Sequence, residues 1–359
     1  GLFHSMNGRL RIFFPISFDL YQKWRGGYHL ILGALRALPA ERVEIEFLCI
    51  YPTIPAQPQF DTLGRTEICE NPDQAIEFLQ TRIHGAGRKN SILLSLGHCG
   101  LWPSAIKRVI YIPDFQHEFL PQNFSTEELS DRKLGYQIET ATADAVWVSS
   151  LTVQKDLKKF TTHVPQRQLV LPFPSLKEKE LGRLHPPLIS GPFILCVSQN
   201  WPHKNLNRLL EAWDRLLEPA AAPWTLVLAG KGIPSEFEKR RNCKVFPDIE
   251  EPELQWLYSQ AQFFILPTLF EGWSTPVEEA ISASLPLVLA DLPILREQAR
   301  TGSIFFNPLD IDEIQKIISQ LICAPAALKR LKLSVSKNRR LSSAEYGMKL
   351  FRFLQGLCA

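Results

Sequence analysis

Two glutamates, Glu271 and Glu279, stand with seven residues between them in the segment LPTLFEGWSTPVEEAISASLPLVLAD, residues 266–291. An ionised carboxylate accepts several hydrogen bonds, so both side chains suit the hydroxyl groups of a ligand. The apolar run 263–266, closed by Pro267, predicts a buried strand, and Glu271 follows its carboxyl end. Because α/β sheets bind ligands at that end, we expect Glu271 to bind a ligand.

The residues after Glu271 carry the signals of a helix start. Thr275 is predicted as the N-cap and Pro276 as the first helical residue, and Glu278 at the third position completes a capping box. The N–H groups and the dipole of a helix start suit a phosphate, although Pro276 has no N–H to offer. In the alternative interpretation, Glu278 only caps the helix and Glu279 is a second first-turn acid that complements its dipole. We adopt this structural interpretation for Glu278, but it leaves Glu271 unexplained.

The run EGWSTPVEEA resembles the donor-site signature of the family 4 retaining glycosyltransferases, which have the two-domain GT-B fold. The resemblance implies that the donor is a nucleoside-diphosphate sugar. It also implies that Glu279 binds the ribose hydroxyls and that Glu271 is a catalytic residue that contacts the sugar. The diphosphate is then expected on the backbone before and at the helix start, formed by Gly272, Trp273, Ser274 and Thr275.

A second polar segment, SQNWPHKN at residues 198–205, follows the predicted strand Phe193–Val197. It resembles a donor-binding loop of bacterial family 4 enzymes that act on O-antigen and other surface glycans. By that resemblance Asn200 and Lys204 bind the donor, with Lys204 at the diphosphate. Many relatives also have an arginine here, where this chain has the neutral Gln199 or Asn200. The alternative, a solvated first-turn lysine, is disfavoured because a cation there opposes the helix dipole.

Further donor contacts follow from the same resemblance. Phe246, at the end of a predicted strand, is a candidate contact of the nucleotide base. Gly26 and Gly27 are placed in a loop between the first predicted strand and the helix Tyr28–Leu38, where adjacent glycines allow a ligand close to the backbone. A plain glycine turn remains the alternative, and the G-x-G-x-x-G dinucleotide fingerprint is absent.

The segment YIPDFQHEFLPQNFS, residues 111–125, follows another predicted strand. It is similar to a P-D-x-Q-H run of the same bacterial enzymes. Many family members carry a catalytic histidine in this loop, but Pro113 occupies its position here. Asp114 and His117 are therefore the catalytic candidates of this segment, with an ordinary structural histidine as the alternative for His117.

Composition narrows the class of protein. The 359 residues carry a net charge of only +3, which gives no support for nucleic-acid binding. The first residues lack a signal-peptide pattern, and no apolar run reaches the length of a membrane span. The seven cysteines are scattered without a C-x-x-C motif, which indicates a reduced cytoplasmic protein without a zinc site. No D-x-D motif is evident either, so we expect no metal.

The strand and helix signals predict an α/β protein of GT-B class. Two Rossmann-like domains are expected to face a central cleft: an acceptor-binding domain at 1–172 and a donor-binding domain at 193–340. Residues 173–192, rich in proline, are predicted to be the linker, and residues 341–359 a C-terminal helix that packs back on the first domain. The proline-rich segment Pro52–Pro72 is expected to be a surface excursion.

The predicted function is that of a retaining glycosyltransferase that uses a nucleoside-diphosphate sugar, with GDP-mannose as the first candidate, and no cofactor. The acceptor is expected to be a glycan or a lipid-linked molecule, and peripheral association with the inner face of the membrane and the oligomeric state are left open. The alternative is a non-catalytic nucleotide-sugar-binding or interaction subunit with the same fold. A Rossmann oxidoreductase is disfavoured, because neither the glycine fingerprint nor a hydride-transfer site is evident.

Overall fold

The computed structural model describes residues 8–17, 25–50, 63–83, 89–96, 105–175, 185–217 and 223–359. The chain divides into two compact units. Unit 1 combines Gly1–Pro174 with Arg340–Ala359, and unit 2 is Ser175–Arg339. Each unit contains one fully parallel β-sheet flanked by helices, as expected for Rossmann-like domains.

The sheet of unit 1 has seven strands in the order β3-β2-β1-β4-β5-β6-β7. Most of them are short apolar runs with buried side chains, since helices cover both faces of a parallel sheet. The strands are β1 Leu10–Ser17, β2 Val43–Ile50, β3 Arg65–Cys69, β4 Ser91–Ser95, β5 Lys107–Tyr111, β6 Ala145–Val148 and β7 Arg167–Val170. The helices are α1 Arg25–Arg36, α2 Pro72–Arg82, α3 Gln116–Phe119, α4 Thr126–Thr142 and α5 Leu151–Phe160.

The edge strand β3 corrects the interpretation of 52–72 as a surface excursion. Residues 52–62 lie outside the described residues, but Arg65–Cys69 pairs with β2. Four of its five residues are exposed, so the strand has no apolar run that a sequence pattern could detect. Its pairing partner, and not its own composition, makes it a strand.

The placement of Gly26 and Gly27 in a loop is also wrong. Helix α1 begins at Arg25, so both glycines belong to its first turn. Glycine is a poor residue inside a helix, but the first turn needs fewer intrahelical hydrogen bonds. The backbone N–H groups of Gly26 and Gly27 are among those for which an α-helix has no internal acceptor.

The sheet of unit 2 has six strands in the order β10-β9-β8-β11-β12-β13. The predicted strands Phe193–Val197 and Phe263–Leu266 occur with those bounds. The strands are β8 Phe193–Val197, β9 Thr225–Ala229, β10 Cys243–Phe246, β11 Phe263–Leu266, β12 Leu287–Ala290 and β13 Ser303–Phe306. The helices are α6 Leu206–Asp214, α7 Glu251–Gln260, α8 Thr275–Ser282, α9 Pro293–Gln298, α10 Ile311–Ile322 and α11 Pro325–Val335.

The last helix, α12 Ser343–Gly356, belongs to unit 1. It contacts α1 so closely that a Cβ on Gly347 would overlap the carbonyl oxygen of Ala37. Tyr346 is fully buried and stacks on Phe173, with ring centroids 6.4 Å apart. The C-terminal helix is therefore part of the first unit's core.

In the described part of the chain, no helix is both long enough and apolar enough to cross a membrane.

Candidate functional site

The strand order of unit 2 identifies the place where an open α/β sheet offers a crevice for a ligand. From β8 the chain proceeds outward through β9 and β10, and from β11 it proceeds the other way through β12 and β13. The adjacent strands β8 and β11 therefore flank a topological switch point, where loops at the carboxyl ends diverge and leave a crevice. The two segments singled out in the sequence, 198–205 and 267–274, follow these two strands.

Lys204 and Glu271 form an ion pair at this switch point. The Lys204 Nζ lies 2.6 Å from the Glu271 Oε1, although the residues are 67 positions apart. The side chain of Lys204 is 17% exposed and that of Glu271 is 7% exposed. Lys204 ends a 3₁₀ turn, Pro202–Lys204, that precedes α6. The alternative interpretation of Lys204 as a solvated first-turn lysine is therefore wrong.

Main-chain and amide hydrogen bonds hold the two loops together beneath this ion pair. The Leu269 N–H donates to the His203 carbonyl at 2.7 Å. Asn205 is buried, has a left-handed backbone with φ 61°, and its Nδ2 donates to the carbonyls of Pro267 and Pro308, each at 2.8 Å. Asparagine tolerates this backbone conformation better than most residues. The relative position of Lys204 and Glu271 is thus set by their backbones and not by the ion pair alone.

His203 lies beside the pair and stays neutral near pH 7. Burial and the neighbouring positive charge of Lys204 lower the pKa of His203 to about 4, against a smaller opposite effect of Glu271. A neutral His203 adds no charge to the site above that pH. Lys204 is therefore the cation that this loop contributes.

The start of helix α8 differs from the predicted capping box. Ser274 is the N-cap and Thr275 the first helical residue, and the Ser274 side chain makes no cap hydrogen bond. Glu278 is 4% exposed and accepts a hydrogen bond at 2.9 Å from the Nε2 of Gln298 on α9. The prediction of Thr275 as N-cap with Glu278 reaching back to it is wrong, because a tertiary partner binds Glu278. The prediction that Glu278 is structural agrees with its burial.

Glu279 is the fifth residue of α8, beyond the first turn in which it was predicted. It is half-buried and lies close to the hydroxyl of the fully buried Tyr258. Burial is the main cause that raises the pKa of Tyr258, and the Glu279 carboxylate raises it further. Tyr258 is therefore a neutral hydrogen-bonding neighbour of Glu279, and a carboxylate in this setting has acceptor capacity left for ligand hydroxyls.

The other donor candidates of unit 2 lie around the same edge. Asn200 is exposed in the loop after β8, next to Trp201, whose Nε1 donates to the Gln199 Oε1 at 2.6 Å. Phe246 ends the edge strand β10, half-buried, and its carbonyl accepts the N–H of Gly230 at 3.0 Å. In a sheet, β10 is two strand spacings, roughly 10 Å, from β8. Phe246 and Lys204 therefore follow the carboxyl ends of strands that are about 10 Å apart in the sheet.

Residues 191–324 match the family described as "Glycosyl transferases group 1". They cover most of unit 2 and contain every candidate of that unit described above. We call this matched part of unit 2 the group 1 domain. The O-antigen chain mannosyltransferase RfbU of Salmonella typhimurium is 23% identical over 152 residues. That alignment spans 40% of this chain and 42% of the relative.

Solved structures show the same fold across both units. The sucrose-phosphate synthase of Thermosynechococcus elongatus has a TM-score of 0.71 at 14% identity, covering 97% of this chain and 99% of that one. The Anabaena protein Alr3699/HepE, solved with UDP and glucose, has a TM-score of 0.70 at 13% identity, covering 96% and 99%. The predicted GT-B fold class is confirmed. The predicted resemblance to glycosyltransferases, with relatives among O-antigen mannosyltransferases, is confirmed for the matched region.

The candidates of unit 1 lie outside the group 1 domain and have other partners. Asp114 follows β5, and its Oδ1 accepts the N–H of Gln116, the first residue of the short helix α3, at 2.9 Å. His117 is 1% exposed and packs edge-on against Tyr136, with ring centroids 5.1 Å apart. Its Nε2 lies 3.8 Å from the Glu118 carboxylate. The structural alternative for His117 therefore has direct geometric support.

Two residues of the group 1 domain that matter for its geometry were missed by sequence reasoning. Asn205 joins three loops, and its position just before a helix in a run of polar residues was the available signal. Gln298 pairs with Ser274 and Glu278 across the unit, and no local pattern marks it. Across the ranges that the structure describes, no group of three or more His, Cys, Asp or Glu side chains is arranged to hold a metal ion.

Proposed function

We propose that this chain is a retaining glycosyltransferase that moves a sugar from a nucleoside-diphosphate sugar, GDP-mannose first, to a glycan, lipid-linked or other acceptor. The observation that carries the proposal is the Lys204–Glu271 pair at the switch point of a group 1 domain, beside the start of helix α8. A cation, an acid and helix N–H groups without an acceptor inside the helix, all at one place, suit an anionic sugar donor. The mannosyltransferase name of a relative supports the choice of sugar.

In this proposal the donor lies along the carboxyl edge of the sheet in unit 2. Glu279 accepts hydrogen bonds from the ribose hydroxyls, and Phe246 contacts the base. Lys204 and the backbone N–H groups of the α8 start bind the diphosphate. The remaining donor contacts are assigned to Gly26, Gly27, Asn200, Gly272, Trp273, Ser274 and Thr275.

The chemical step is the exchange of the diphosphate for an acceptor hydroxyl at the anomeric carbon, on the same face of the sugar. Negative charge develops on the departing diphosphate as its bond to the sugar breaks. Fixed N–H dipoles and a lysine held in place by its neighbours stabilise that charge without reorganising. Glu271 holds the sugar hydroxyls, and Asp114 and His117 are assigned to the catalytic group. No metal and no other cofactor takes part in the proposed reaction, which is placed in the cytoplasm.

The ion pair has a consequence for donor binding. In the structure the positive charge of Lys204 is balanced by the negative charge of Glu271. The pair as a whole therefore brings little net charge to a diphosphate. The helix start must therefore supply much of the attraction, and Lys204 must share its three N–H donors between the carboxylate and a phosphate oxygen. This makes the exact orientation of the α8 start important for affinity.

The proposal is tested by a panel of nucleoside-diphosphate sugars in thermal-shift measurements on the full chain. A ligand at a hundred times its dissociation constant stabilises a protein by about 2.7 kcal/mol, which is readily detected. The stabilising donor is then incubated with the protein, with and without EDTA, and hydrolysis or transfer is followed. Turnover that is insensitive to EDTA is expected. Stabilisation without turnover would favour the non-catalytic subunit, and no stabilisation by any donor would overturn the proposal.

A further inference from the structure

The N-terminal end of helix α8 is held by a side chain from another helix. The amide of Gln298, the last residue of α9, is 1% exposed. Its Oε1 accepts the Ser274 N–H at 3.2 Å, and its Nε2 donates to the Ser274 carbonyl at 2.7 Å. The same Nε2 donates to the Glu278 Oε1 at 2.9 Å. The amide thus pairs with both the N–H and the carbonyl of Ser274, as the backbone of a neighbouring strand would. Through its bond to Glu278 it also connects the N-cap residue to the first turn of the helix.

This arrangement replaces the usual side-chain cap. The Ser274 hydroxyl makes no cap hydrogen bond, and its oxygen is buried without a partner among the described residues. A helix start that lacks its own cap loses about 1 kcal/mol and frays more easily. The two hydrogen bonds from Gln298 to the Ser274 backbone fix the direction in which the following N–H groups point.

The loop after β11, residues 267–274, is fixed at both of its ends. Asn205 holds the Pro267 carbonyl at one end, and Gln298 holds Ser274 at the other. Glu271 lies between these two anchors. The first-turn N–H groups of Thr275 and Val277, for which the helix offers no acceptor, come directly after the second anchor.

We propose that Gln298 is a positioning residue for the donor diphosphate: its amide holds the Ser274 backbone so that the N–H groups at the start of α8 face a phosphate. This inference rests on the proposed function. Gln298 itself does not touch the donor. It acts through Ser274 and Glu278, so its loss weakens the contact with phosphate and leaves the contacts with the nucleoside intact.

The same unit contains a matched control. The amide of Asn338 makes the same two-point pairing with the Thr301 backbone, donating from Nδ2 to the carbonyl at 2.7 Å and accepting the N–H at 3.2 Å. Asn338 is also buried. Thr301 precedes strand β13, whereas Ser274 follows β11. The two amide–backbone pairings therefore lie at opposite ends of the parallel strands, at the amino ends for Asn338 and at the carboxyl ends for Gln298. Asn338→Leu therefore removes an equivalent amide–backbone pairing at the end of the sheet opposite to the proposed donor site.

The experiment compares Gln298→Met with Asn338→Leu and the unaltered full chain. Binding of GDP, UDP, ADP, CDP and TDP is first measured by calorimetry on the unaltered chain. The best of these diphosphates and its nucleoside are then titrated into both variants. We expect Gln298→Met to raise the Kd of the diphosphate about tenfold and that of the nucleoside less than about twofold. Asn338→Leu is expected to leave both values within about twofold.

A second variant covers a failure of Gln298→Met to fold. In Gln298→Glu with Glu278→Gln, the new carboxylate accepts from Ser274 N–H and from the new amide, but the Ser274 carbonyl loses its donor. Its Kd for the diphosphate is expected to lie between that of the unaltered chain and that of Gln298→Met. If Gln298→Met does not fold, the Kd of the double variant is expected to be higher than that of the unaltered chain. Equal loss of diphosphate and nucleoside, or no loss, overturns the positioning role. If the unaltered chain binds no nucleoside diphosphate, the proposed function fails, and the inference with it.

Discussion

The Lys204–Glu271 pair combines structural and functional demands in two side chains. Both are largely shielded from water, so the attraction between them is stronger than at an open surface, and each also carries a desolvation cost. Removing one partner leaves the other charge unpaired in a partly buried place. Loss of stability and loss of ligand contact must therefore be separated in any single substitution here.

Lys204→Met should weaken the binding of a nucleoside diphosphate more than that of its nucleoside. A charge-assisted contact contributes roughly 1.5–3 kcal/mol, and only the diphosphate makes it. Calorimetric titration of both ligands measures the difference. The control is Lys204→Met with Glu271→Gln, which removes both charges and should recover thermal stability without recovering diphosphate affinity. Equal losses for nucleoside and diphosphate would contradict the assignment of Lys204.

Glu271→Gln should reduce turnover about a hundredfold, or roughly 2.7 kcal/mol of barrier, with little change in donor affinity. The glutamine keeps the size and one acceptor for Lys204 but removes the charge that acts in the transition state. Single-turnover rate and melting temperature are measured on the same sample. A stable variant with full activity would remove Glu271 from the catalytic group. Slow turnover that merely follows a loss of folded protein would indicate a structural acid.

At the scale of elements, the loops after β8 and β9 approach each other through one glycine. Gly230 has φ +140°, and a Cβ there would overlap the carbonyl oxygen of Ser198. Ser198 opens the loop that carries Lys204, and its N–H donates to the Ala229 carbonyl at 2.9 Å. The absence of a side chain at Gly230 thus lets the two loops leave the sheet side by side.

Gly230→Ala should destabilise the protein by about 2–4 kcal/mol, since it combines a strained backbone with a backbone overlap. Gly232 is the matched control, because its φ is also positive, at +79°, but a Cβ there meets nothing within 4 Å. Gly232→Ala should cost only about 1 kcal/mol. Urea unfolding at constant pH measures both. Similar losses in the two variants would mean that backbone strain, and not the contact with Ser198, decides the effect.

At the scale of the whole molecule, the C-terminal helix completes unit 1 after the chain has passed through unit 2. Helix α12 buries Tyr346, Leu350 and Leu354 and packs on α1, whose first turn carries Gly26 and Gly27. A residue near the end of the chain therefore shapes the support of an element near its beginning. Stability of unit 1 depends on both ends of the sequence.

Gly347→Ala should lower the melting temperature by several degrees, because the added Cβ overlaps the Ala37 carbonyl and pushes α12 from α1. Gly356→Ala on the same helix is the control. The Cβ at that position meets only the Arg167 Nη2, at 3.0 Å, and a long side chain can move. Helix propensity favours alanine at both sites, so it cannot explain a difference between them. Unchanged melting of Gly347→Ala would contradict the close packing of the two helices.

The sequence by itself determined the elements and the region of the site. Strands β8 and β11 were predictable because each is a continuous apolar run closed by a polar or proline residue. The run EGWSTPVEEA and the loop SQNWPHKN indicated a candidate donor site, since their residue types and positions after strands are local properties. The return of the C-terminal helix followed from the family resemblance and not from periodicity.

Only the tertiary structure decided which of these residues contact each other and which residue forms the N-cap of α8. The Lys204–Glu271 pair joins positions 67 residues apart, and it exists because β8 and β11 are neighbours in the sheet. The N-cap of α8 is Ser274 and not the predicted Thr275, because the buried Gln298 forms hydrogen bonds with the Ser274 backbone that the local sequence pattern does not indicate. Edge strand β3 is set by its pairing with β2. Apolar periodicity is encoded within a few neighbouring residues, whereas these contacts depend on strand order and on backbone groups that any sequence carries.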